Sequence, residues 1–209
     1  MGKERLMNIR LERPEDFSQV ENLVREAFWN VYAPGCCEHY ILHQLRRDPC
    51  YVPALSYVVE EQGRIVAQIA YAKGTYRPDS GGEEEMLLFG PVGVLPEEQG
   101  KGYGSALIRF TLERARELGW PLVVITGNPA YYSRFGFEPA SRYGVYHKAF
   151  GREEAPVFQL CVLDPGGLPP TPGWYEDPAC YEAAPEEVEA FDRQFPPKRK
   201  EVLPGQLSH

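Results

Sequence analysis

The chain has 209 residues, with 22 Lys and Arg against 30 Asp and Glu, and its formal charge of −8 argues against a broad nucleic-acid-binding face. A composition of 43% hydrophobic and 25% charged residues is that of an ordinary globular protein, long enough for one large domain or a domain plus an extension. The longest nearly apolar stretch, 86–95, is broken by Gly90, Pro91 and Gly93 and covers about half of the ~20 residues a spanning helix needs, so no membrane span is expected.

In chain order, Met7-Asn8-Ile9-Arg10-Leu11-Glu12 alternates apolar and polar residues and predicts a strand. The charged opening before it lacks the apolar run of a secretory leader, which makes the cytoplasm the expected location. Pro14 then begins a helix in which Phe17, Val20, Leu23, Val24, Ala27 and Phe28 recur at helical spacing. After the Pro34-Gly35 break, a second helix over 38–47 carries Ile41, Leu42 and Leu45, and Pro49 ends it. Segments 55–61 and 64–76 flank Gln62-Gly63 and read as an antiparallel hairpin with a long second strand. The stretch 86–95 reads as a further strand. Pro91 cannot donate to a ladder, and with Gly90 and Gly93 around it a bulge or splay is expected there. A helix over 102–118 closes on Gly119, and the apolar run Leu122-Val123-Val124-Ile125-Thr126 reads as a buried strand. Pro129 opens a short helix through Tyr131, Tyr132 and Phe135 that Gly136 stops, and a strand over 157–163 follows. The core domain is expected to span 1–164. Residues 165–209, dense in proline from Pro165 to Pro204, carry one expected helix, 185–194, and should dock on the domain or on a partner subunit.

Cys36, Cys37, Cys50, Cys161 and Cys180 are odd in number with no C-x-x-C pair, and reduced thiols are the expectation. The one metal-like grouping is Cys36, Cys37, His39 and His43. No acid separates the two His as in H-E-x-x-H, and no metal is expected.

The chemistry concentrates in Gln99-Gly100-Lys101-Gly102-Tyr103-Gly104, between a strand and a helix, where peptide N–H groups at a helix N-terminus suit a phosphate. A Walker A loop would need Ser or Thr after Lys101 and Gly at position 95, where Gly102 and Leu95 stand. The dinucleotide fingerprint starting at Gly100 would need Gly or Ala at 105, where Ser105 stands. The remaining pattern, Gln/Arg-x-x-Gly-x-Gly/Ala, is met by Gln99, Gly102 and Gly104 and resembles the coenzyme A pyrophosphate loop of the GNAT N-acetyltransferase superfamily. Tyr131-Tyr132-Ser133-Arg134-Phe135-Gly136-Phe137 resembles the short-helix motif of the same superfamily, in which a Tyr sits four residues before a Gly-Phe pair. Within it, Gly90-Pro91, Val92-Gly93-Val94-Leu95-Pro96 and the Asn128-Pro129-Ala130-Tyr131-Tyr132 turn are similar to the bacterial YhbS-type predicted acetyltransferases. The resemblance covers roughly residues 6–163.

That resemblance implies an α/β (α+β) fold, with a mixed, mostly antiparallel sheet splayed at its fourth strand and flanked by helices. It implies acetyl-CoA as cosubstrate. The pantetheine arm would pair with the backbone of Val92 and Val94, and the cofactor-binding loop would comprise Gln99, Gly100, Lys101, Gly102, Tyr103, Gly104 and Ser105, with Asn128 as a further contact. The reaction implied is direct attack of a neutral primary amine on the thioester, giving an oxyanion and then a thiolate that must be protonated. The family assigns that proton to the Tyr that here is Tyr132, and a phenol near pKa ~10 can serve a thiolate near ~8.5 with modest help. The other reading of Tyr132 is packing, with Tyr131 a rival facing another direction on the same short helix. Many family members carry a Glu in the middle of the fourth strand, where this chain has Leu87-Leu88-Phe89. Glu83, Glu84 and Glu85 lie just upstream but read first as a solvated loop, a water relay or a substrate amine of low pKa is an equal alternative, and His39, His43 and His147 are further candidate bases without positional support. The acceptor is expected to be a small-molecule or peptide amine, with no nucleic acid or membrane as partner and a homodimer left open. The acidity favours a cationic acceptor. The rival class is a catalytically idle acyl-CoA-binding module or sensor, suggested by the missing strand carboxylate.

Overall fold

The N-terminal alternation becomes β1 (Asn8–Leu11), paired antiparallel with β2 (Tyr57–Glu61) in a computed structural model that describes residues 7–153 and 155–206. Residues 1–6, on which the leader argument turned, lie outside the described residues. The hairpin forms around Gln62 and Gly63, both in left-handed backbone, and leads into the long β3 (Arg64–Pro78). β4 (Glu84–Val94) returns antiparallel along β3 and starts two residues before the expected 86. α3 (Tyr103–Glu117) connects it to β5 (Leu122–Thr126), which lies parallel to β4 through only two pairs, Leu87 with Val123 and Leu88 with Val124. β8 (Phe158–Val162) pairs antiparallel with β5, and β6 (Phe137–Pro139) with β8. One edge of β3 is shared. Its first half holds β2, and Thr75–Pro78 hold β9 (Gly173–Glu176), beside which β7 (Val145–His147) runs parallel. The nine-stranded, mixed and mostly antiparallel sheet, with helices on it, is the fold class expected.

Burial follows the sequence periodicities. α1 (Phe17–Phe28) buries Val20, Leu23 and Val24, a three-and-four spacing that makes one helix face apolar. α3 does the same with Leu107, Ile108, Leu112 and Ala115, and its buried Thr111 hydroxyl lies 2.9 Å from Tyr71 Oη, so neither polar group is left unsatisfied. β5 is apolar on both faces because it is covered on both. α2 (Glu38–Leu45) ends earlier than the expected 47.

β4 supplies the irregularity that Pro91 foretold. Its pairing with β3 shifts between Ile69–Val92 and Tyr71–Phe89, so Gly90 and Pro91 together oppose Ala70 in a bulge. Beyond Leu88, β4 parts from β5.

Residues after 164 add β9 to this sheet and then cross the outside of α2 and α1. A 3-10 turn, Ala179–Tyr181, packs against α2, and α5 (Pro185–Asp192) follows. Arg25 of α1 is fully buried and donates to Asp192 through Nε (2.6 Å) and Nη2 (3.1 Å) and to the Pro196 carbonyl (3.1 Å). Tyr175, Cys180 and Phe191 are buried, so the extension supplies core residues to the domain.

Candidate active site

The N-terminus of α3 is made by glycine backbone. Gly102 caps the helix at φ +88°, a conformation costly for any residue with a Cβ. The first ladder bond runs from Ala106 N–H to Gly102 O at 2.9 Å, which leaves the peptide N–H groups of Gly104 and Ser105 without a backbone acceptor among the described residues. They sit at the positive end of a helix dipole, a setting that favours an anion. Gln99 ties this loop to β4 by donating its side-chain amide to the Val94 carbonyl at 3.3 Å.

β4 presents backbone to the same place. Leu95 N–H donates to Val66 O at 3.0 Å, so by strand alternation Val92 and Val94 turn their N–H and C=O groups away from β3, toward the side from which β5 has departed. Between the splay and the helix terminus lies a cleft of ≈530 Å³. Of the sequence-predicted residues, Val92, Val94, Gln99, Gly100, Gly102, Tyr103, Gly104 and Ser105 line it. Lys101, Asn128 and the expected catalytic residue Tyr132 stand outside that lining. Lys101 is ion-paired to Glu98 at 2.7 Å, and Asn128 caps α4 (Pro129–Tyr132) by accepting from Ala130 N–H at 3.0 Å. Ala27 and Phe28 at the end of α1, Val31 and Tyr32 in the turn after it, Glu98 and Arg134 add to the wall, and the sequence reading had not singled them out as site residues.

The two neighbouring tyrosines divide as their directions on one helix require. Tyr131 lines the cleft; its hydroxyl would be 3.4 Å from a Cβ placed on Gly104, and the Arg134 guanidinium lies 4.0 Å from its ring centroid. It stands at the α3 N-terminus. Tyr132 is wedged deeper, against Phe89 (6.0 Å) and Phe137 (5.9 Å), and its ring lies so close to the end of β5 that any Cβ at Gly127 would collide with it. Its hydroxyl makes no hydrogen bond among the described residues. Burial pushes the phenol's pKa well above its ordinary value, and the nearby Tyr131 and Tyr32 hydroxyls push the same way.

Five of the six expected candidate bases are engaged elsewhere, and the sixth, Glu84, is exposed at the start of β4. Glu83 pairs with Arg77 (2.7 Å) and Glu85 with Lys73 (2.6 Å), both in exposed positions. His39 faces Asp192 (3.2 Å), His43 faces Glu21 (2.9 Å), and His147 faces Asp177 (3.0 Å). Leu87, Leu88 and Phe89 are buried in the middle of β4. A carboxyl the sequence reading missed is that of Glu38, at the start of α2. Burial raises its pKa, and its charge is felt at the cleft residue Tyr32. Of the metal-like grouping, Cys36 Sγ lies 3.4 Å from His39 Nδ1, while His43 turns to Glu21.

The geometry matches proteins of one kind. Residues 8–140 match the family described as acetyltransferase (GNAT) domain. The chain is 35% identical to the uncharacterized N-acetyltransferase YjhQ of Escherichia coli K12 over 48% of its length, a match spanning just over half of YjhQ at 55%. It is 29% identical to YhbS of the same organism, over 71% of this chain and 84% of YhbS. Among solved structures, E. coli YhbS in complex with CoA superposes with TM-score 0.72 at 26% identity, covering 84% of this chain and 91% of that one. A GNAT family acetyltransferase from Brucella melitensis in complex with acetyl-CoA gives TM-score 0.65 at 31% identity, covering 84% and 98%. With the family match running across the splayed strand, the glycine loop and the tyrosine pair, this chain belongs to the GNAT acetyltransferase family.

Proposed function

We propose that this protein transfers the acetyl group of acetyl-CoA directly to a primary amine, with Tyr132 as the acid that protonates the departing thiolate. The observation that carries the reading is the convergence of an outward-turned β4 backbone and an anion-ready α3 N-terminus on one cleft, with the ring of Tyr132 packed 4.9 Å from that of the lining residue Tyr131. The binding of CoA and acetyl-CoA by the two structural relatives supports the choice of cosubstrate. In this reading the Gly104 and Ser105 N–H groups hold the pyrophosphate, and Val92 and Val94 hold the pantetheine arm. The amine nitrogen attacks the carbonyl carbon, an oxyanion forms, the nitrogen releases its extra proton to water, and the oxyanion collapses as the C–S bond breaks. The thiolate takes its proton from Tyr132, which regains one from solvent. A buried phenol is a weaker acid than a solvated one, but a thiolate formed in the same desolvated setting is a stronger base, so the transfer remains matched.

Tyr132→Phe keeps the packed ring and removes only the hydroxyl, so kcat should fall by about 10²–10⁴ with CoA affinity nearly unchanged. Tyr131→Phe should spare kcat and act on CoA affinity, because that hydroxyl lies beside Gly104. With the Tyr132 phenol held protonated by burial, no alkaline loss of rate should trace to it across the usual assay range. Full kcat in Tyr132→Phe, with chemistry limiting the rate, refutes the assignment. The sensor reading draws on the buried Leu87-Leu88-Phe89 in place of a strand carboxylate. Thiol release on a panel of cationic amines separates the two, and a Glu38→Gln variant tests whether that carboxyl receives the amine's proton.

A further inference from the structure

Cys50 and Cys180 are 130 residues apart in the chain, yet their sulfurs lie 3.4 Å from each other. Cys50 sits in the segment between α2 and β2 on firmly held backbone: its N–H donates to Asp48 Oδ1 at 2.8 Å, and its carbonyl accepts from Lys73 N–H at 2.9 Å. Cys180 sits in the 3-10 turn of the extension. Its neighbour Tyr181 donates its hydroxyl to the Gly90 carbonyl at 2.6 Å, within the β4 bulge. The turn therefore joins the domain's rim to the strand that borders the cleft. Among the described residues no other two sulfurs are in hydrogen-bonding contact, and Cys50 is partly open to solvent.

We propose that Cys50 and Cys180 form a redox-modification site, in which a peroxide oxidant converts the thiol pair into a disulfide that fastens the extension to the domain beside the β4 bulge. Either sulfur can donate across this contact; where the Cys50 thiol donates, it lowers the pKa of Cys180 against the opposing effect of burial and favours Cys180 as the attacking thiolate. Its sulfur attacks one oxygen of hydrogen peroxide. The O–O bond breaks, hydroxide leaves and takes up the proton Cys180 had released, and Cys180 becomes a sulfenic acid. Cys50 Sγ then attacks Cys180 Sγ, the S–O bond breaks, and the hydroxyl leaves as water with the Cys50 proton. Two thiols and one peroxide thus give one disulfide and two waters, a two-electron oxidation of sulfur. The sulfurs must close from 3.4 Å to about 2.05 Å, a shift that side-chain rotation and small turn movements can cover.

The test treats the full-length reduced protein with hydrogen peroxide, alkylates the remaining thiols and maps peptides without reductant. Loss of two of the five thiols, one Cys50–Cys180 cross-linked peptide and reversal by dithiothreitol are expected. Cleavage of the extension by a low concentration of protease should slow by about 30-fold or more, the low end of what a long-range cross-link contributes. Peroxide should not slow that cleavage in Cys50→Ser or Cys180→Ser. Should either variant fail to fold, the wild-type peptide map decides alone. Scattered oxidation across the cysteines, a different pair, an unchanged cleavage rate, or stoichiometric zinc on Asp48, Cys50 and Cys180 in the purified protein would each overturn the proposal.

Discussion

Replacing Asp192 with Ala isolates the anchor that holds the extension. Arg25 has no exposed surface, and its hydrogen-bond acceptors are the Asp192 carboxylate and the Pro196 carbonyl. Glu26 Oε1 lies 3.8 Å from Nη1, and the Trp29 and Phe195 rings are 4.3 and 5.4 Å from the guanidinium carbon. Asp192→Ala therefore leaves a dry positive charge facing one carbonyl, two rings and a distant carboxylate. Breaking one side of a buried pair costs about 3–5 kcal/mol. Asp192 is 19% exposed and Glu26 offers partial compensation, so about 3 kcal/mol is the figure that fits this site. In a chain of this length that lowers Tm by about 6–12 °C. Urea unfolding followed by circular dichroism should show a lower midpoint at unchanged m. Arg25→Met removes the charge that needs a partner, so in a double-mutant cycle the two substitutions should fall short of additivity by about 2 kcal/mol. A loss under about 1 kcal/mol in Asp192→Ala, or strict additivity with Arg25→Met, would refute the claim that this pair fastens the extension.

Gly104→Val should abolish CoA binding by calorimetry while leaving the fold intact. A Cβ there meets Tyr131 Oη and Val94 Cγ2 at an ordinary 3.4 Å, so it is the added methyls that reach into the cleft beside the α3 N-terminus. Truncation after Asp164 should give a chain that loses its near-ultraviolet dichroism, because it strips β9 from β3 and removes the buried Tyr175 and Phe191. Acid should destabilise the protein through His39, whose pKa burial depresses to about 4 against an ordinary 6.5, with Asp192 opposing the shift and Arg25 adding to it. The neutral form's contribution is complete above the unfolded value and is lost as pH falls through the folded one, about 3 kcal/mol in all. His39→Gln should flatten that decline in urea midpoints measured from pH 7 to pH 4.

What the sequence disclosed were the places where one residue's backbone chemistry is decisive. Pro91 cannot donate to a ladder, and the bulge sits there; Gly102 tolerates φ +88°, and α3 starts there. These signals are local, and they located most of the cleft lining. What it concealed depends on distant partners. β7 and β9 are three- and four-residue strands that exist because β9 lies between β3 and β7, so no periodicity announces them. Arg25 and Asp192 are 167 positions apart, and nothing near either one marks it as half of a pair. Glu83, Glu84 and Glu85 read as a solvated loop, but Glu84 and Glu85 belong to β4, where Lys73 across the sheet neutralises Glu85. The placement of Tyr131 beside Gly104, with Tyr132 wedged deeper against Phe89, follows from helix geometry that spacing alone ranks only by motif.

The shared edge of β3 bears on how the chain is made. Thr75–Pro78 face β9, about a hundred residues later in synthesis. A ribosome adding roughly 5–20 residues per second leaves that edge of Thr75–Pro78 open for about ten seconds, after β2 has closed on the same edge of β3 further back and β4 on the opposite edge. During that interval the nascent chain displays an open, partly apolar sheet edge, the kind of surface on which strands of other chains pair. Its C-terminal segment thus acts last, as the piece that retires an aggregation-competent edge, and depletion of nascent-chain chaperones should bring down the full-length protein with its Thr75–Pro78 edge still reactive.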